Sequence, residues 1–148
     1  MYAAEKGHLS ALNVLLEAGA AVDVQSTSDN TALICAAVRG HEEIVRRLLD
    51  AKAEVDIAGE GGGSAMMKAA YQGRPKIVEI LIEAGANVNM RSLSGEKALE
   101  WARKQGHARI EELLLANGAI SRTSSAGSFG RFSRAQSAAS TSSASAKA

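Results

Sequence analysis

Apolar residues recur along the first 120 positions at the spacing of an α-helix rather than that of a strand. Between positions 75 and 85, the apolar helical face consists of Ile77, Val78, Ile80, Leu81 and Ile82. Glu79 and Glu83 point away from it. Pro75 suits a first helical turn, where its missing N–H would be unpaired in any case. Gly85 can adopt the left-handed conformation that ends a helix. The pattern therefore predicts a helix that begins at Pro75 and closes at Gly85.

The same pattern returns every 33 residues. Four segments superimpose at that step, namely YAAEKGH (2–8), CAAVRGH (35–41), KAAYQGR (68–74) and WARKQGH (101–107). Each is followed by a second apolar helical pattern, so each unit reads as two short helices with a glycine between them. A repeat of this kind predicts helix pairs stacked side by side, each covering the apolar face of its neighbour.

A second glycine series closes the second helix of three units, at Gly19, Gly85 and Gly118. Lys52 takes the corresponding position in the remaining unit. A side chain held in the left-handed conformation costs roughly 1 to 2 kcal/mol. We therefore expect backbone strain at Lys52.

The 33-residue step, the openings TALICAA (31–37) and SAMMKAA (64–70), the G-H pair and the G-A-x-V-N ending together resemble the ankyrin repeat family. The resemblance covers residues 1–120 and implies an all-α, ankyrin-type α-solenoid of stacked helix pairs joined by β-hairpin-like loops. Its implied parts are a partial repeat at 1–30, repeats at 31–63 and 64–96, and a terminal repeat at 97–120. Lys97 departs from the pattern, because the family has a helix-capping Thr there and such a cap is typically worth ~1 kcal/mol.

The glycine-rich stretch GEGGG (59–63) raises the alternative of a phosphate-binding loop. It aligns with STSDN (26–30) and SLSGE (92–96), at the loop tip between two units. A dinucleotide loop must follow a buried strand, for which VDIA (55–58) is too short, and a P-loop needs a Lys before the Ser or Thr that Ser64 would supply. We interpret the glycines as turn residues.

In ankyrin proteins, the loop tips and the two residues before the inter-helix glycine contact partners. Carried onto this sequence, the resemblance implies partner-binding roles for Asn30, Val38, Arg39, Glu60, Tyr71, Gln72, Leu93, Lys104 and Gln105. Tyr71 and Arg39 are the preferred anchors, because Tyr and Arg dominate the energetics of protein interfaces. These positions differ from unit to unit, as contacts to a specific partner would. The alternative is that they are surface positions without a role, which also differ freely.

Three histidines, His8, His41 and His107, share one phase of the repeat. Stacked helices lie ~8 to 10 Å apart, so these side chains cannot share the ~2 Å coordination sphere of a metal. In the family, the histidine at this phase hydrogen-bonds to neighbouring backbone, and we expect that role here.

The sequence offers no evident set of catalytic residues. Cys35 lies among apolar neighbours, and we interpret it as inert packing, because buried thiols are seldom reactive. Trp101 takes the same phase in the last unit, and we interpret it as terminal packing. No nucleophile, base and oxyanion donor come together, so we expect a protein that is not an enzyme and that has no cofactor and no metal.

The composition narrows the class of partner. The net charge of +1 is too small for nucleic acid binding by counterion release. No apolar run approaches the ~20 residues that span a bilayer, and a single cysteine excludes an internal disulfide. We therefore expect no nucleic acid and no membrane partner, and a cytoplasmic location with the nucleus as the alternative.

Residues 121–148 differ in composition from the rest of the chain. They hold ten serines and no acidic residue, and such a segment buries too little apolar surface to fold. We predict a disordered, basic, Ser/Ala-rich tail. Ser125 and Ser137 each follow an arginine by three residues, which makes them possible phosphorylation sites.

Together these features predict a protein–protein interaction module, a scaffold or adaptor. It would bind an unidentified protein partner through the concave face of loop tips and first helices. We expect a monomer. Met1 aligns with Ile34, which lies inside a first helix, so the sequence is also consistent with a fragment of a longer repeat array. The alternative is a regulatory or targeting fragment of a larger enzyme or channel.

Overall fold

The computed structural model describes residues 1–120, and the predictions for the tail, including Ser125 and Ser137, lie outside the described residues. Within residues 1–120, four helix pairs follow one another and no strand is present. The pairs are α1 (Tyr2–Lys6) with α2 (Leu9–Glu17), α3 (Ala32–Arg39) with α4 (Glu42–Asp50), α5 (Ala65–Gln72) with α6 (Pro75–Glu83), and α7 (Ala98–Gln105) with α8 (Ala108–Ala116). The predicted all-α solenoid of stacked helix pairs is confirmed.

The first helices of the pairs pack side by side, and the second helices form another layer behind them. Small residues occupy the contacts between first helices. Ala36, Ala69 and Ala102 are fully buried there, and a methyl side chain lets two helices approach closely without leaving a void. Larger apolar side chains fill the space between the two layers, among them Leu33, Leu48, Met66, Leu81, Leu99 and Leu114.

The glycine between the two helices of a pair has left-handed backbone in all four units, and in the first three units the next unit also leaves no room for a side chain there. Gly7, Gly40, Gly73 and Gly106 all have left-handed backbone, with φ of 81°, 84°, 75° and 76°. A side chain on Gly73 would also collide with the ring of His107, since a Cβ there would lie 2.7 Å from the ring. The four positions are equivalent, as the repeat predicts.

The residue after that glycine joins each unit to the one before it. Nε2 of His41 donates a hydrogen bond to the carbonyl oxygen of Glu5 at 3.0 Å, and Nε2 of His107 donates to that of Tyr71 at 3.1 Å. In the third unit, Nε of Arg74 donates to the carbonyl oxygen of Val38 at 3.3 Å. The backbone-bonding role predicted for these histidines is confirmed at both His41 and His107.

The first helices of the two inner full units start with the expected caps. The Ile34 N–H donates to Thr31 Oγ1 at 3.2 Å, and the Met67 N–H donates to Ser64 Oγ at 3.4 Å. Because an N-cap hydroxyl satisfies a backbone donor that has no partner within the helix, it fixes where the helix begins.

Lys97 replaces the cap in the last unit and makes a different set of contacts. Its backbone N–H donates to Glu100 Oε2 at 2.7 Å, and its Nζ donates to the Ile120 carbonyl oxygen at 2.9 Å. Burial lowers the pKa of Lys97. The side chain that cannot cap α7 therefore fastens the segment that follows α8.

The loops between units share one closing hydrogen bond. The backbone N–H groups of Ser26, Gly59 and Ser92 donate to the carbonyl oxygens of Asn30, Gly63 and Glu96 at 2.9, 3.0 and 2.8 Å. Gly62 has a φ of 77°, and a Cβ on it would lie 2.6 Å from the Leu93 backbone nitrogen of the next loop. The interpretation of GEGGG as turn residues is confirmed, and its glycines also let neighbouring loops pack closely.

The two outer faces of the described stack differ in polarity. Leu15 of α2 is 47% exposed, whereas Leu48 and Leu81, its equivalents in the inner units, are 1% and 0% exposed. At the other face, Arg103 is exposed at the position that Ala70 buries in the preceding unit, and it forms an ion pair with Glu111. Apolar surface is therefore open at the α2 side and charged surface at the α8 side.

Lys52 has a φ of 72° and is exposed. We expect Lys52→Gly to raise the free energy of unfolding by about 1 kcal/mol, because it removes left-handed strain and no described ion pair. The reciprocal control is Gly85→Lys, which has open space around its Cβ position and should lower the free energy of unfolding by a similar amount. Urea unfolding followed by circular dichroism measures both, and a destabilised Lys52→Gly would contradict the assignment.

His41→Ala should lower the free energy of unfolding by about 1 kcal/mol or more, because it leaves the Glu5 carbonyl oxygen without its partner. His8 occupies the same phase but is exposed and makes no hydrogen bond of this kind within residues 1–120. His8→Ala is therefore the matched control and should change stability little. Equal losses from the two variants, measured by the same unfolding experiment, would show that the bond between units is unimportant.

Candidate functional site

A groove with a volume of about 770 Å³ runs along the first helices of the stack. Two rows of residues at the 33-residue step form its helical wall. The rows are Tyr2, Cys35, Lys68 and Trp101, and Glu5, Val38, Tyr71 and Lys104. Each member of the second row follows its partner in the first row by three positions, which places both on one face of their helix. The repeat therefore converts distant sequence positions into neighbours along one surface.

The opposite wall of the groove comes from the loop tips. It is polar, with the hydroxyls of Ser26 and Ser28, the amide of Asn30 and the carboxylates of Glu60 and Glu96. Asn30 Oδ1 accepts a hydrogen bond from the Glu60 backbone N–H at 3.3 Å, which ties one loop tip to the next. The groove thus combines a mixed helical wall with a hydrogen-bonding rim.

Seven of the nine residues predicted to bind a partner line this groove, namely Asn30, Val38, Arg39, Glu60, Tyr71, Gln72 and Lys104. The other two do not. Leu93 projects from its loop tip with 86% of its surface exposed, and Gln105 is exposed at the end of α7. A role in partner binding remains a prediction for all nine residues.

Trp101, Cys35 and Lys68 also line the groove, although the sequence predicted another role, or none, for each. Trp101, interpreted as terminal packing, does pack, but it does so within the groove, edge-to-face against Tyr71 with ring centroids 6.0 Å apart. Cys35, interpreted as buried packing, is half-buried in the groove wall, and burial raises the pKa of its thiol, which keeps it protonated. Lys68 received no role. Cys35, Lys68 and Trp101 each precede a predicted groove residue by three positions. This spacing was the sequence signal that puts them on the same helix face as Val38, Tyr71 and Lys104.

Two of the three cationic side chains that line the groove are neutralised by carboxylates of this chain. Arg39 donates to Glu5 at 2.7 Å, and Lys104 forms an ion pair with Glu96. The hydrogen bond from Arg39 lowers the pKa of the Glu5 carboxyl, and the hydrogen bond from Lys104 lowers that of Glu96. Both pairs are partly exposed, so they add little to stability.

Lys68 differs from the other two cations. Its Nζ lies 5.8 Å from the centroid of the Trp101 ring, as in a cation–π contact, and it forms no ion pair with any carboxylate in residues 1–120. Gly63 makes room for this arrangement. A Cβ on Gly63 would lie 3.0 Å from the Trp101 ring and 3.1 Å from the Lys68 side chain.

In the part of the chain that the structure describes, no three His, Cys, Asp or Glu side chains gather as a metal site would require. No helix within the same residues is long and apolar enough to cross a membrane.

Comparison with known families agrees with the repeat geometry. A family model described as ankyrin repeats, in three copies, matches residues 1–92 and again residues 58–125. The chain belongs to the ankyrin repeat family. Ankyrin repeats are generally protein–protein interaction modules, and ankyrin repeat domains are typically non-enzymatic. A search of curated proteins finds no match.

Arg39→Gln should raise the pKa of Glu5 toward its ordinary value, because the largest cause of the lowered pKa is the hydrogen bond from Arg39. The sign for stability follows from linkage. A carboxyl whose pKa is lowered by folding stabilises the fold above the pKa of the unfolded chain and loses that contribution as the pH falls through the folded pKa.

An NMR titration of the Glu5 carboxyl carbon measures this change. Glu96, paired with Lys104 in another unit, is the internal control and should keep its lowered pKa in the Arg39→Gln variant. If the pKa of Glu5 stayed low without the arginine, the ion pair would not be its cause.

Proposed function

We propose that this ankyrin repeat protein is a scaffold or adaptor that binds a partner protein in the groove. The observation that carries the proposal is the Tyr71–Trp101 pair, which presents two aromatic rings on the groove wall. Tyr71 remains 45% exposed although it packs against Trp101. Aromatic side chains bury a large area with few rotatable bonds, and they are enriched among the residues that dominate binding energy.

The size of the groove supports a peptide-like segment of the partner. Four first helices at ~8 to 10 Å spacing make a row roughly 25 to 30 Å long. An extended chain advances about 3.3 Å per residue, so roughly eight or nine residues would follow the row. The serine hydroxyls and the Asn30 amide on the loop side would then supply hydrogen bonds to that segment.

We further propose that the protein acts as a monomer in the cytoplasm or nucleus, where the single thiol of Cys35 stays reduced. A regulatory or targeting fragment of a larger enzyme or channel would use the same groove in the same way. The two settings differ in what the bound partner controls rather than in how it is held.

Tyr71→Ala should weaken partner binding by more than ~1 kcal/mol, about a fivefold or larger rise in Kd. The thermal midpoint should change little, because the Tyr71 ring is half exposed. Proteins retained by the immobilised full chain, and lost with Tyr71→Ala, would be purified and their affinities measured by calorimetry.

Lys76→Ala is the matched control, because Lys76 is exposed on α6, behind the groove. It should retain the same proteins with unchanged affinity. A partner that binds wild type, Tyr71→Ala and Trp101→Ala equally well would show that the groove is not the binding site.

A further inference from the structure

The cationic side chains of the groove differ in whether they form an ion pair. Arg39 and Lys104 each hold a carboxylate of this chain. Lys68 lies between them along the stack, in α5, and its ammonium nitrogen is 5.8 Å from the centroid of the Trp101 ring. Within residues 1–120, Lys68 is the one groove-lining cationic side chain that forms no ion pair with a carboxylate.

The surroundings of Lys68 make its charge available to a bound segment. The side chain is half-buried, and its stem lies against the groove wall close to Trp101 and Gly63. A charge whose stem is already held loses less side-chain entropy on pairing than a free surface lysine. Removing water from the ammonium without supplying an anion would instead oppose binding.

Glu60, on the opposite wall, is the groove carboxylate that could compete for this role. It is exposed at its loop tip and forms no ion pair with Lys68 in the described structure. Within residues 1–120, a partner therefore meets a cationic side chain without an ion pair on the helical wall and an exposed carboxylate without an ion pair at the rim. The half-buried cation is the charge that a bound segment must neutralise.

We propose that the groove recognises an extended acidic segment of the partner protein. A side-chain carboxylate of Asp or Glu in that segment pairs with Nζ of Lys68, while an adjacent apolar residue packs on Tyr71 and Trp101. This inference rests on the proposed function, since it specifies the chemistry of the segment that occupies the same groove. Charge complementarity of this kind gives specificity and faster association more than raw affinity.

The test is a selection from a displayed library of random peptides, about nine residues long, against the immobilised full chain. The variant is Lys68→Met, which removes the charge but keeps an unbranched stem against Trp101. Its matched control is Lys76→Met, which removes an exposed charge behind the groove. Wild type and Lys76→Met should enrich peptides with an acidic residue at one fixed distance from an apolar residue, and Lys68→Met should lose that enrichment.

A binding cycle then measures the pair directly. For a selected peptide, replacing the acidic residue by its amide should raise the Kd about tenfold on wild type and at most about twofold on Lys68→Met. Lys68→Glu should select basic residues in place of the acidic one. The proposal is overturned by a wild-type pool without acidic enrichment, by a pool rich in Lys and Arg, or by equal effects of the amide on both proteins.

Binding of the selected peptides to Tyr71→Ala separates this proposal from the function beneath it. Peptides that need Tyr71 but ignore the charge of Lys68 would overturn the acidic-segment proposal alone. Peptides that bind regardless of Tyr71 and Trp101, or a library that yields no groove-dependent binder, would count against both.

Discussion

The structure depends on one constraint, which is that no helix pair buries its own apolar face without the next pair beside it. The buried alanines between first helices, such as Ala36 and Ala69, set how closely neighbouring units approach. The bond from His41 or His107 to the backbone of the preceding unit sets their register. Because successive units repeat these contacts, with Arg74 in place of the histidine in the third unit, residues 33 positions apart line up in space. The groove is a direct consequence of that alignment.

The features that the sequence predicts well are those that one repeated position determines alone. The left-handed backbone at Gly7 and its equivalents, and the left-handed Lys52, follow from the repeat, as do the hairpin loop tips. The same reasoning placed seven of its nine candidate residues in the groove lining, because a given phase of the repeat falls on the same side of the stack in each unit. Leu93 shows the limit of that reasoning, since its side chain is 86% exposed and is not part of the groove lining.

Other features depend on contacts between different positions, and the repeat carries no information about these. The contact from Lys97 to the Ile120 carbonyl oxygen joins a helix start to a segment beyond the next helix. The packing of Trp101 on Tyr71, and the space that Gly63 leaves for Trp101 and Lys68, join residues of two units. The ion pair between Lys104 and Glu96 neutralises one charge of the groove, whereas Lys68 forms no ion pair within residues 1–120.

The unequal polarity of the two outer faces bears on protein engineering with this array. A designed helix pair grafted ahead of α1 would cover Leu15, which already has the apolar character of its buried equivalents. A pair grafted beyond α8 would instead have to desolvate the Arg103–Glu111 ion pair, and burying such charges is unfavourable unless new partners are supplied. Leu15 therefore suits an added unit on the amino-terminal side, whereas on the carboxyl-terminal side Arg103 would first have to be replaced, for example by the alanine found at its equivalent Ala70.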